Sequence, residues 1–158
     1  MAVDAFLKMD IKGESVVEGH EEEIQLLSWS WGMSQTGTTH RGTGGGAGKV
    51  DVQDIHFTHY VDSASPNLVQ ACCNGKHFEE AVLTVRKAGE EPLDYLVLTL
   101  TDFIITSVST GGASGEELVT ETVALNFAKF KISYQPQDNK GAAAGGAIEA
   151  EYDIAKNT

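Results

Sequence analysis

The sequence predicts one mainly β domain with a single short helix, arranged as a barrel or a sandwich. Its 158 residues provide for one compact domain with a sizeable core. Clusters of Gly, Asp, Asn and Ser separate a series of runs with strand character. One segment combines helical spacing with helix-end signals, and no repeat of solenoid or propeller length occurs.

Seven runs of residues have strand character. They cover residues 3–11, 24–35, 50–62, 81–87, 95–109, 118–134 and 147–154. From residue 27 to residue 34 of the second run the odd-numbered positions carry bulky apolar side chains: Leu27, Trp29, Trp31 and Met33. The even-numbered positions between them carry small side chains: Ser28, Ser30, Gly32 and Ser34. This alternation predicts a strand whose odd-numbered face lies in the core and whose serine face lies outside it.

The long run at 118–134 changes phase. Its apolar side chains occupy odd-numbered positions as far as Phe127 and even-numbered positions from Phe130 onwards. A one-residue bulge at Ala128 or Lys129 would keep both sets facing the core. The sequence therefore predicts a bend in this strand, as is common at the rims of barrels.

The predicted helix follows the third run. Ser65 is a favourable N-cap, Pro66 suits the first helical position, and Asn74-Gly75 ends the segment. An apolar stripe at helical spacing lies between these ends and consists of Leu68, Val69, Cys72 and Cys73. Because adjacent cysteines cannot readily form a disulfide, we predict that both are reduced and help to pack the helix against the β-structure.

The charge balance argues against several kinds of partner. The chain carries 23 acidic and 11 basic residues, which gives a formal net charge of −12. Nucleic-acid binding depends on basic residues that displace counterions from phosphates, and anionic membranes attract basic segments, so we expect neither partner. No apolar stretch matches a signal peptide or a membrane-spanning segment, which predicts synthesis in the cytoplasm and no membrane insertion.

The motifs of catalysis and cofactor binding are incomplete. Residues 43–50 resemble a phosphate-binding P-loop, but Thr43 stands where that motif needs Gly and Val50 stands where it needs Ser or Thr. His56 and His59 lie three apart on a predicted strand, so their side chains point to opposite faces and cannot easily share a metal ion. Nucleophile-elbow motifs are also missing. We therefore predict no catalytic residues, no cofactor and no bound metal.

Several long stretches resemble one protein family. They are WSWGMSQTGTTHRGTGGGAGKVDVQDIHFTHYVD at 29–62, SPNL at 65–68, GKHFEEAVLTVRKAG at 75–89, SVSTGG at 107–112 and TETVALNFAKFKISYQPQ at 120–137. These motifs are long and specific, and the likeness covers nearly the whole chain, from MAVDAFLK onward, and weakens after Gln137. On them the chain resembles Hcp, the hemolysin-coregulated tube protein of the bacterial type VI secretion system.

The resemblance implies a two-sheet antiparallel β-barrel with one short flanking helix, in a single domain at 1–158. It implies a structural subunit without catalytic activity that forms homo-hexameric rings, which stack into a hollow tube inside a contractile sheath. It also implies contact with a trimeric spike protein at the tip, and small effector proteins carried and chaperoned in the lumen. Such a subunit is secreted to the medium or a target cell when the sheath contracts, without a signal peptide.

Two sets of residues are candidates for assembly. Ser28 and Ser30 are candidates for the lumen wall, because exposed apolar side chains there would hold cargo; the same alternation also allows them to face outer solvent or a subunit seam. The loop at 36–49 resembles the extended loop of the family and is the candidate for ring-to-ring contact, with a merely mobile loop as the alternative. Its candidate residues are Thr38, Thr39, His40, Arg41, Gly42, Gly44 and Lys49.

Two other functions compete with this interpretation. A β-sandwich that binds a glycan or a surface protein is the main alternative, because Trp and Tyr side chains often form such sites. A small hydrolase is a third hypothesis, suggested only by the acidic and histidine content. The Ala/Gly-rich stretch at about 138–147 is predicted to be flexible.

Overall fold

A computed structural model describes residues 3–37 and 47–158. Its elements follow the predicted runs along the chain, with the runs at 24–35 and 50–62 each divided into more than one strand. They are β1 (Val3–Lys8), β2 (Ile24–Leu26), β3 (Ser28–Ser30), β4 (Met33–Gly37), β5 (Ala47–Val52), β6 (Ile55–Tyr60), α1 (Ser65–Asn74), β7 (His77–Lys87), β8 (Leu93–Gly111), β9 (Thr120–Tyr134) and β10 (Ile148–Asp153).

Eight strands form one antiparallel sheet that closes almost completely. Its order is β2-β1-β7-β8-β9-β6-β3, with β10 paired to β9. β2 and β3 stand at the two ends of this order but are consecutive in the chain, so residues 24–30 bring the two edges of the sheet together. Between them the N–H of Leu27 donates a hydrogen bond of 2.7 Å to the carbonyl of Thr58. β4 and β5 form a separate two-stranded sheet. The predicted mainly β barrel with one short helix is confirmed.

Aliphatic and aromatic side chains from nearly all strands of the main sheet fill the barrel. Phe6, Phe57 and Phe103 are among the largest side chains that are completely or almost completely buried. Phe78 stacks on Phe103 with ring centroids 5.1 Å apart. Helix α1 packs Leu68 against this core and lies against β8. Burial of this apolar surface is the main favourable contribution to folding.

Helix α1 lies where the sequence predicts it, but its N-terminus is capped differently. Ser65 is the first helical residue rather than the N-cap. The Asp62 carboxylate accepts a hydrogen bond of 2.9 Å from the N–H of Ala64, and the Ser65 hydroxyl accepts one of 3.1 Å from the N–H of Asp62. This reciprocal pair resembles a capping box that begins at Asp62. The C-terminus is as predicted, with Gly75 in the left-handed region at φ 64°.

The buried face of α1 differs from the predicted stripe. It consists of Ser65, Leu68 and Ala71, which share one side of the helix because residues three apart are neighbours on its surface. Val69 and Cys73 are exposed, and Cys72 is half-buried. The prediction is therefore correct for Leu68, partly correct for Cys72, and wrong for Val69 and Cys73.

The run predicted as one strand at 24–35 is divided among β2, β3 and β4. Trp29 and Trp31 are half-buried and pack against the core, and the ring of Trp31 lies edge-on to that of Phe130 with centroids 4.9 Å apart. Leu27 and Met33, predicted on the same core face, are exposed. The segment pairs in turn with β1, β6 and β5, so the strand alternation fixes the direction of each side chain but not whether the core lies beneath it.

β9 changes phase where the sequence predicts it, and β8 changes phase with it. Phe127 and Phe130 are both buried. The pairs between β8 and β9 on either side of Asp102 and Ala128 keep one register, so neither strand gains a residue over the other at this level, and the register shift between the two strands lies between Ile105 and Ser107 instead. Asp102 has a φ of 51°, in the left-handed region. The one-residue bulge predicted in β9 alone is wrong, because both strands bend together at this level.

Candidate lumen wall and assembly surfaces

On its outer face, a four-stranded part of the barrel carries mostly small and polar side chains. It is formed by β3, β6, the first half of β9 and the second half of β8, paired in that order. One row across the four strands consists of Ser28, Thr58, Thr122 and Ser109. The next row consists of Ser30, His56, Ala124 and Ser107. We call these two rows the polar wall. Its opposite face, which includes Phe57, lies in the core.

Hydrogen bonds within the polar wall and at its edge organise these side chains. The hydroxyl oxygens of Thr58 and Thr122 lie 3.2 Å apart. At the edge of the wall the Asp54 carboxylate accepts a bond of 2.8 Å from the Thr106 hydroxyl and another of 2.8 Å from the Asn126 side-chain amide. Such a surface offers donors and acceptors to a passing molecule but little apolar area on which it could stick.

The predicted lumen candidates Ser28 and Ser30 are both exposed on the polar wall. Sequence reasoning did not single out their cross-strand neighbours Thr58, Thr122 and Ser109. Each of these residues lies in a run whose alternation was visible in the sequence, but the register that aligns them in one row depends on long-range strand pairing.

Both edges of the polar wall have backbone groups without a strand partner in the described ranges. On one side, β7 pairs with β8 only as far as Ile104, so residues 105–111 of β8 have β9 alone as a neighbour. On the other side, β1 pairs with the closing segment only as far as Leu26, so β3 has β6 alone. Unpaired edges of this kind are templates for pairing with another chain.

β4 and β5 form a two-stranded ribbon that continues the β3–β6 pair beyond the barrel. The N–H of Gln53 donates a bond of 2.9 Å to the carbonyl of Gly32 at the transition, and Met33 then pairs with Val52. Lys49 lies on β5 and is exposed. The other predicted loop candidates, Thr38, Thr39, His40, Arg41, Gly42 and Gly44, lie outside the described residues.

His59 and Glu121 form an ion pair inside the barrel. Both side chains are almost completely buried, and His59 Nε2 lies 2.9 Å from Glu121 Oε1. Glu121 also accepts a bond of 2.8 Å from the Thr110 hydroxyl. Asp62 Oδ2 is 3.7 Å from His59 Nδ1, too far for a hydrogen bond but close enough for a charge interaction. Burial lowers the pKa of His59, but the two carboxylates raise it more, so this pKa lies above its usual value.

A second buried histidine ties the segment before β2 to the barrel. The His20 ring stacks on Phe6 with centroids 4.5 Å apart, and its two nitrogens lie 2.9 Å from Glu23 Oε1 and 3.1 Å from Asp94 Oδ2. Arg86 Nε donates a bond of 2.7 Å to Asp94. Burial raises the pKa of Asp94, but the hydrogen bonds from Arg86 and His20 lower it more, so this pKa lies below its usual range.

The buried clusters around His59 and His20 join parts of the fold to one another, and their histidine nitrogens face carboxylates of the chain itself. His59 is fully enclosed, and both nitrogens of His20 face carboxylates. Within residues 3–37 and 47–158, no three metal-ligating side chains lie close enough to hold an ion. No helix in those ranges is long and apolar enough to cross a membrane. The tryptophans considered for a glycan site, Trp29 and Trp31, pack against the core.

Comparisons with known proteins agree with this architecture. A family model described as type VI secretion system effector, Hcp, matches residues 6–134. The protein hcp1 of Pseudomonas aeruginosa is 54% identical over 159 aligned residues, which cover 99% of this chain and 98% of the relative.

Solved structures extend the likeness to three dimensions. The crystal structure of Hcp1 from Salmonella typhimurium is 45% identical, with a TM-score of 0.82, and the match covers 99% of this chain and 98% of that one. A structure described as a type six secretion system protein is 27% identical, with a TM-score of 0.93 and 99% of both chains covered. The chain therefore belongs to the Hcp family, the structural, non-catalytic tube proteins of the type VI secretion system.

Proposed function

We propose that this chain forms homo-hexameric rings that stack into a hollow tube, with the polar wall facing the lumen. The whole chain acts as one barrel domain, with its Ala/Gly-rich stretch at about 138–147 as a flexible segment. The observation that carries the proposal is the polar wall itself: a sheet with a hydroxyl-rich outer face and, within residues 3–37 and 47–158, an edge without a strand partner on each side.

The two edges of the polar wall support ring closure. They belong to different strands, β3 and β8, and therefore present different surfaces. A contact between two different surfaces of identical copies is head-to-tail, and it closes into a ring when the rotation per copy permits. Joining β8 of one copy to β3 of the next would satisfy both sets of backbone groups and continue the polar wall around the ring.

The composition of the wall supports its exposure to cargo. Ser28 and Ser30 lie in the two rows whose other members are mostly hydroxyl-bearing. On these two rows, small effector proteins carried through the lumen would meet hydrogen-bonding groups and His56, and no large exposed apolar side chain that would retain them. Export follows contraction of the surrounding sheath, without a signal peptide, behind a trimeric spike protein at the tip of the tube.

The β4–β5 ribbon and its connecting loop are the proposed ring-to-ring contact. A two-stranded ribbon is at best marginally stable in water, and contact with a neighbouring ring would stabilise it. Lys49 is exposed on this ribbon, and the loop residues from Thr38 to Gly44 continue it in the sequence.

Size measurements on the purified chain test ring formation. Light scattering after gel filtration should give a mass near six times 16.9 kDa, and negative-stain images should show rings.

Two matched variants test the role of the β8 edge. Val108→Pro lies in the part of β8 that has β9 alone as a neighbour, and Leu93→Pro lies at the start of β8. Proline removes a backbone donor and fits poorly inside a sheet. The Val108→Pro variant is expected to lose rings far more than Leu93→Pro. A wild-type chain that remains a monomer at tens of micromolar would contradict the proposal.

Distances between spin labels test which face lines the lumen. The label is placed at Ser30→Cys, in a chain whose native Cys72 and Cys73 are replaced by serine. The comparison label is placed at Val69→Cys, exposed on α1. Labels on the lumen face lie nearer to the ring axis, so distances between copies should be shorter at 30 than at 69. Equal or longer distances at 30 would place the polar wall on the outside.

A further inference from the structure

One carboxylate lies beside the polar wall, at the end where β6 begins. Asp54 directly precedes Ile55, the first residue of β6, and it is half-buried. Because residues two apart along an extended chain face the same side, Asp54 shares the outward face with His56 and Thr58. The two rows of the wall contain no lysine, arginine, aspartate or glutamate. Asp54 therefore brings a negative charge to a surface whose rows carry no permanent charge of their own.

The Asp54 side chain is fixed by donors from two other strands. β9 lies between β6 and β8 in the sheet. The carboxylate accepts a bond from the Asn126 amide on β9 and, across β9, from the Thr106 hydroxyl on β8, each of 2.8 Å. Thr106 is the extra residue at the register shift between Ile105 and Ser107. Bulges of this kind turn a side chain in a new direction and are frequent beside functional sites. This one places a hydroxyl where it orients the carboxylate.

The oriented carboxylate keeps capacity for a cationic partner. Thr106 and Asn126 are neutral donors, so they leave the negative charge of Asp54 uncompensated. They bond to different oxygens, Oδ2 and Oδ1, and a carboxylate has about four acceptor positions. Each oxygen can therefore accept a further bond from an arginine fork or a lysine ammonium group. Because the carboxylate is already held in place, less conformational entropy is lost when such a partner binds.

The charge of the whole chain adds to the effect of Asp54. The formal net charge is −12, and in the proposed ring each copy contributes one Asp54 to the lumen surface. A channel lined by one sign of charge concentrates ions of the opposite sign, because its low-dielectric wall focuses the field. Such a lumen attracts basic protein surfaces and repels acidic ones. The hydroxyls of the polar wall can bond to either kind of surface, so the charge decides between them.

We propose that the Asp54 carboxylate binds lysine and arginine side chains of proteins carried in the lumen, so that the tube favours cargo with a basic surface. This inference rests on the proposed ring function and names the chemical class of the cargo. Asp54, oriented by Thr106 and Asn126, is the residue that selects by charge. The hydroxyl rows supply contacts that do not discriminate between charges.

Binding of charged probe peptides to rings tests this selection. Dye-labelled hexalysine and hexaglutamate are titrated with wild-type rings at low salt, and fluorescence anisotropy gives the Kd. We expect hexalysine to bind and hexaglutamate not to bind. Asp54→Asn should weaken hexalysine binding by at least about tenfold, as expected when a hydrogen bond to a charged group is lost. Glu79→Gln, which removes the same charge from an exposed position on β7, should weaken it by less than about twofold. Equal Kd values for the two variants would overturn the inference.

Relocation of the carboxylate separates its charge from its role in joining strands. Asp54→Asn with Thr122→Asp returns a carboxylate to the polar wall, and Asp54→Asn with Val69→Asp returns it to an exposed position on α1. Both chains have the net charge of wild type and the same altered contacts at residue 54. Hexalysine binding should recover by at least about threefold in the first chain and not in the second. Equal recovery in both would reveal an effect of total charge alone and contradict the proposal.

A third pair of variants leaves Asp54 in place, so it decides the question even if Asp54→Asn rings do not form. Thr122→Lys puts a positive charge in the polar wall, and Val69→Lys puts the same charge on α1. We expect hexalysine to bind Thr122→Lys rings at least about fivefold more weakly than Val69→Lys rings. Equal binding would exclude the polar wall as the surface that attracts cations.

Energy transfer locates the bound peptide. A donor dye is attached at Ser30→Cys on the polar wall or at Val69→Cys on α1, in chains whose Cys72 and Cys73 are replaced by serine, and hexalysine carries the acceptor. Transfer should be stronger from residue 30. In intact rings, transfer from residue 69 that equals or exceeds it would place the peptide on the outside and overturn this inference alone. A wild-type chain that forms no rings would instead contradict the proposed function.

Discussion

The stability of the fold depends on the ion pair between His59 and Glu121, whose side chains are almost completely buried. Removing one partner of a buried pair leaves the other charge without compensation, which typically costs about 3–5 kcal/mol. In His59→Leu the Glu121 carboxylate would keep only the hydrogen bond from Thr110. We therefore expect His59→Leu to lower the free energy of unfolding by about 3 kcal/mol in urea denaturation. His77→Leu, at an exposed histidine on β7, is the control and should change it by less than about 0.5 kcal/mol.

The same pair predicts a pH dependence of stability. The pKa of His59 is raised in the folded protein, so the folded state binds its proton more tightly than the unfolded state does. The resulting stabilisation is fully present below the unfolded pKa and is lost as the pH rises through the folded pKa. The free energy of unfolding should therefore fall in wild type over the interval that begins near the usual histidine pKa of about 6.5 and extends to alkaline pH, and fall less in His59→Leu. A wild-type value that rises over this interval would contradict the assignment.

The sequence predicts only part of the surroundings of His59. The spacing of His56 and His59 predicts that they face opposite sides of one strand, and the structure confirms it, with His56 exposed and His59 buried. The partner of His59 is 62 residues away in the chain. Pairing of β6 with β9 places Glu121 beside it, and local pattern carries no information about that pairing.

Helix α1 depends on its two ends, and its C-terminal glycine allows a direct test. Gly75 adopts a left-handed conformation, and a side chain at this position would meet no atom within 4 Å. The effect of Gly75→Ala is therefore conformational rather than steric, and we expect it to lower the free energy of unfolding by about 1 kcal/mol. Gly146→Ala, where the surroundings are equally open and φ is not left-handed, should leave thermal and urea unfolding almost unchanged.

Comparison of the predicted elements with the observed ones shows where the local sequence pattern is sufficient to predict structure. Helix α1 is predicted well because Pro66 and Gly75 are signals that act within the segment itself. The division of residues 24–35 into three strands is not predicted, because it arises from three different pairing partners. Leu27 and Met33 therefore look like core residues in the sequence and lie on the surface.

The net charge of the chain governs how its copies approach one another. At −12 per copy, rings repel one another at long range. Salt screens charges over about 10 Å at 0.1 M. The fraction of stacked rings at fixed chain concentration should therefore rise when sodium chloride increases from about 0.05 M to about 0.5 M, as measured by sedimentation velocity. A wild-type fraction that falls with salt would contradict the expectation.

Closure of the barrel is the feature that sequence alone predicts least. Most strands are found from alternation and turn residues, but the segment at 24–30 completes the sheet by pairing first with β1 and then with β6. The polar wall has the same origin, because its rows join residues from four strands that are up to 81 positions apart, from Ser28 to Ser109. Alternation identifies the serines as outward-facing, and only the assembled sheet makes them a continuous surface.

The shared bend of β8 and β9 has a mechanical consequence. Both strands pass from the polar wall, through the bend at Asp102 and Ala128, into the part of the sheet that carries β7 and β10. If the polar wall lines the lumen as proposed, a thrust applied to it would pass to the rest of the barrel along these two strands, which are joined by backbone hydrogen bonds with one register shift between Ile105 and Ser107. Each subunit would then move as a single stiff body when the column is driven forward.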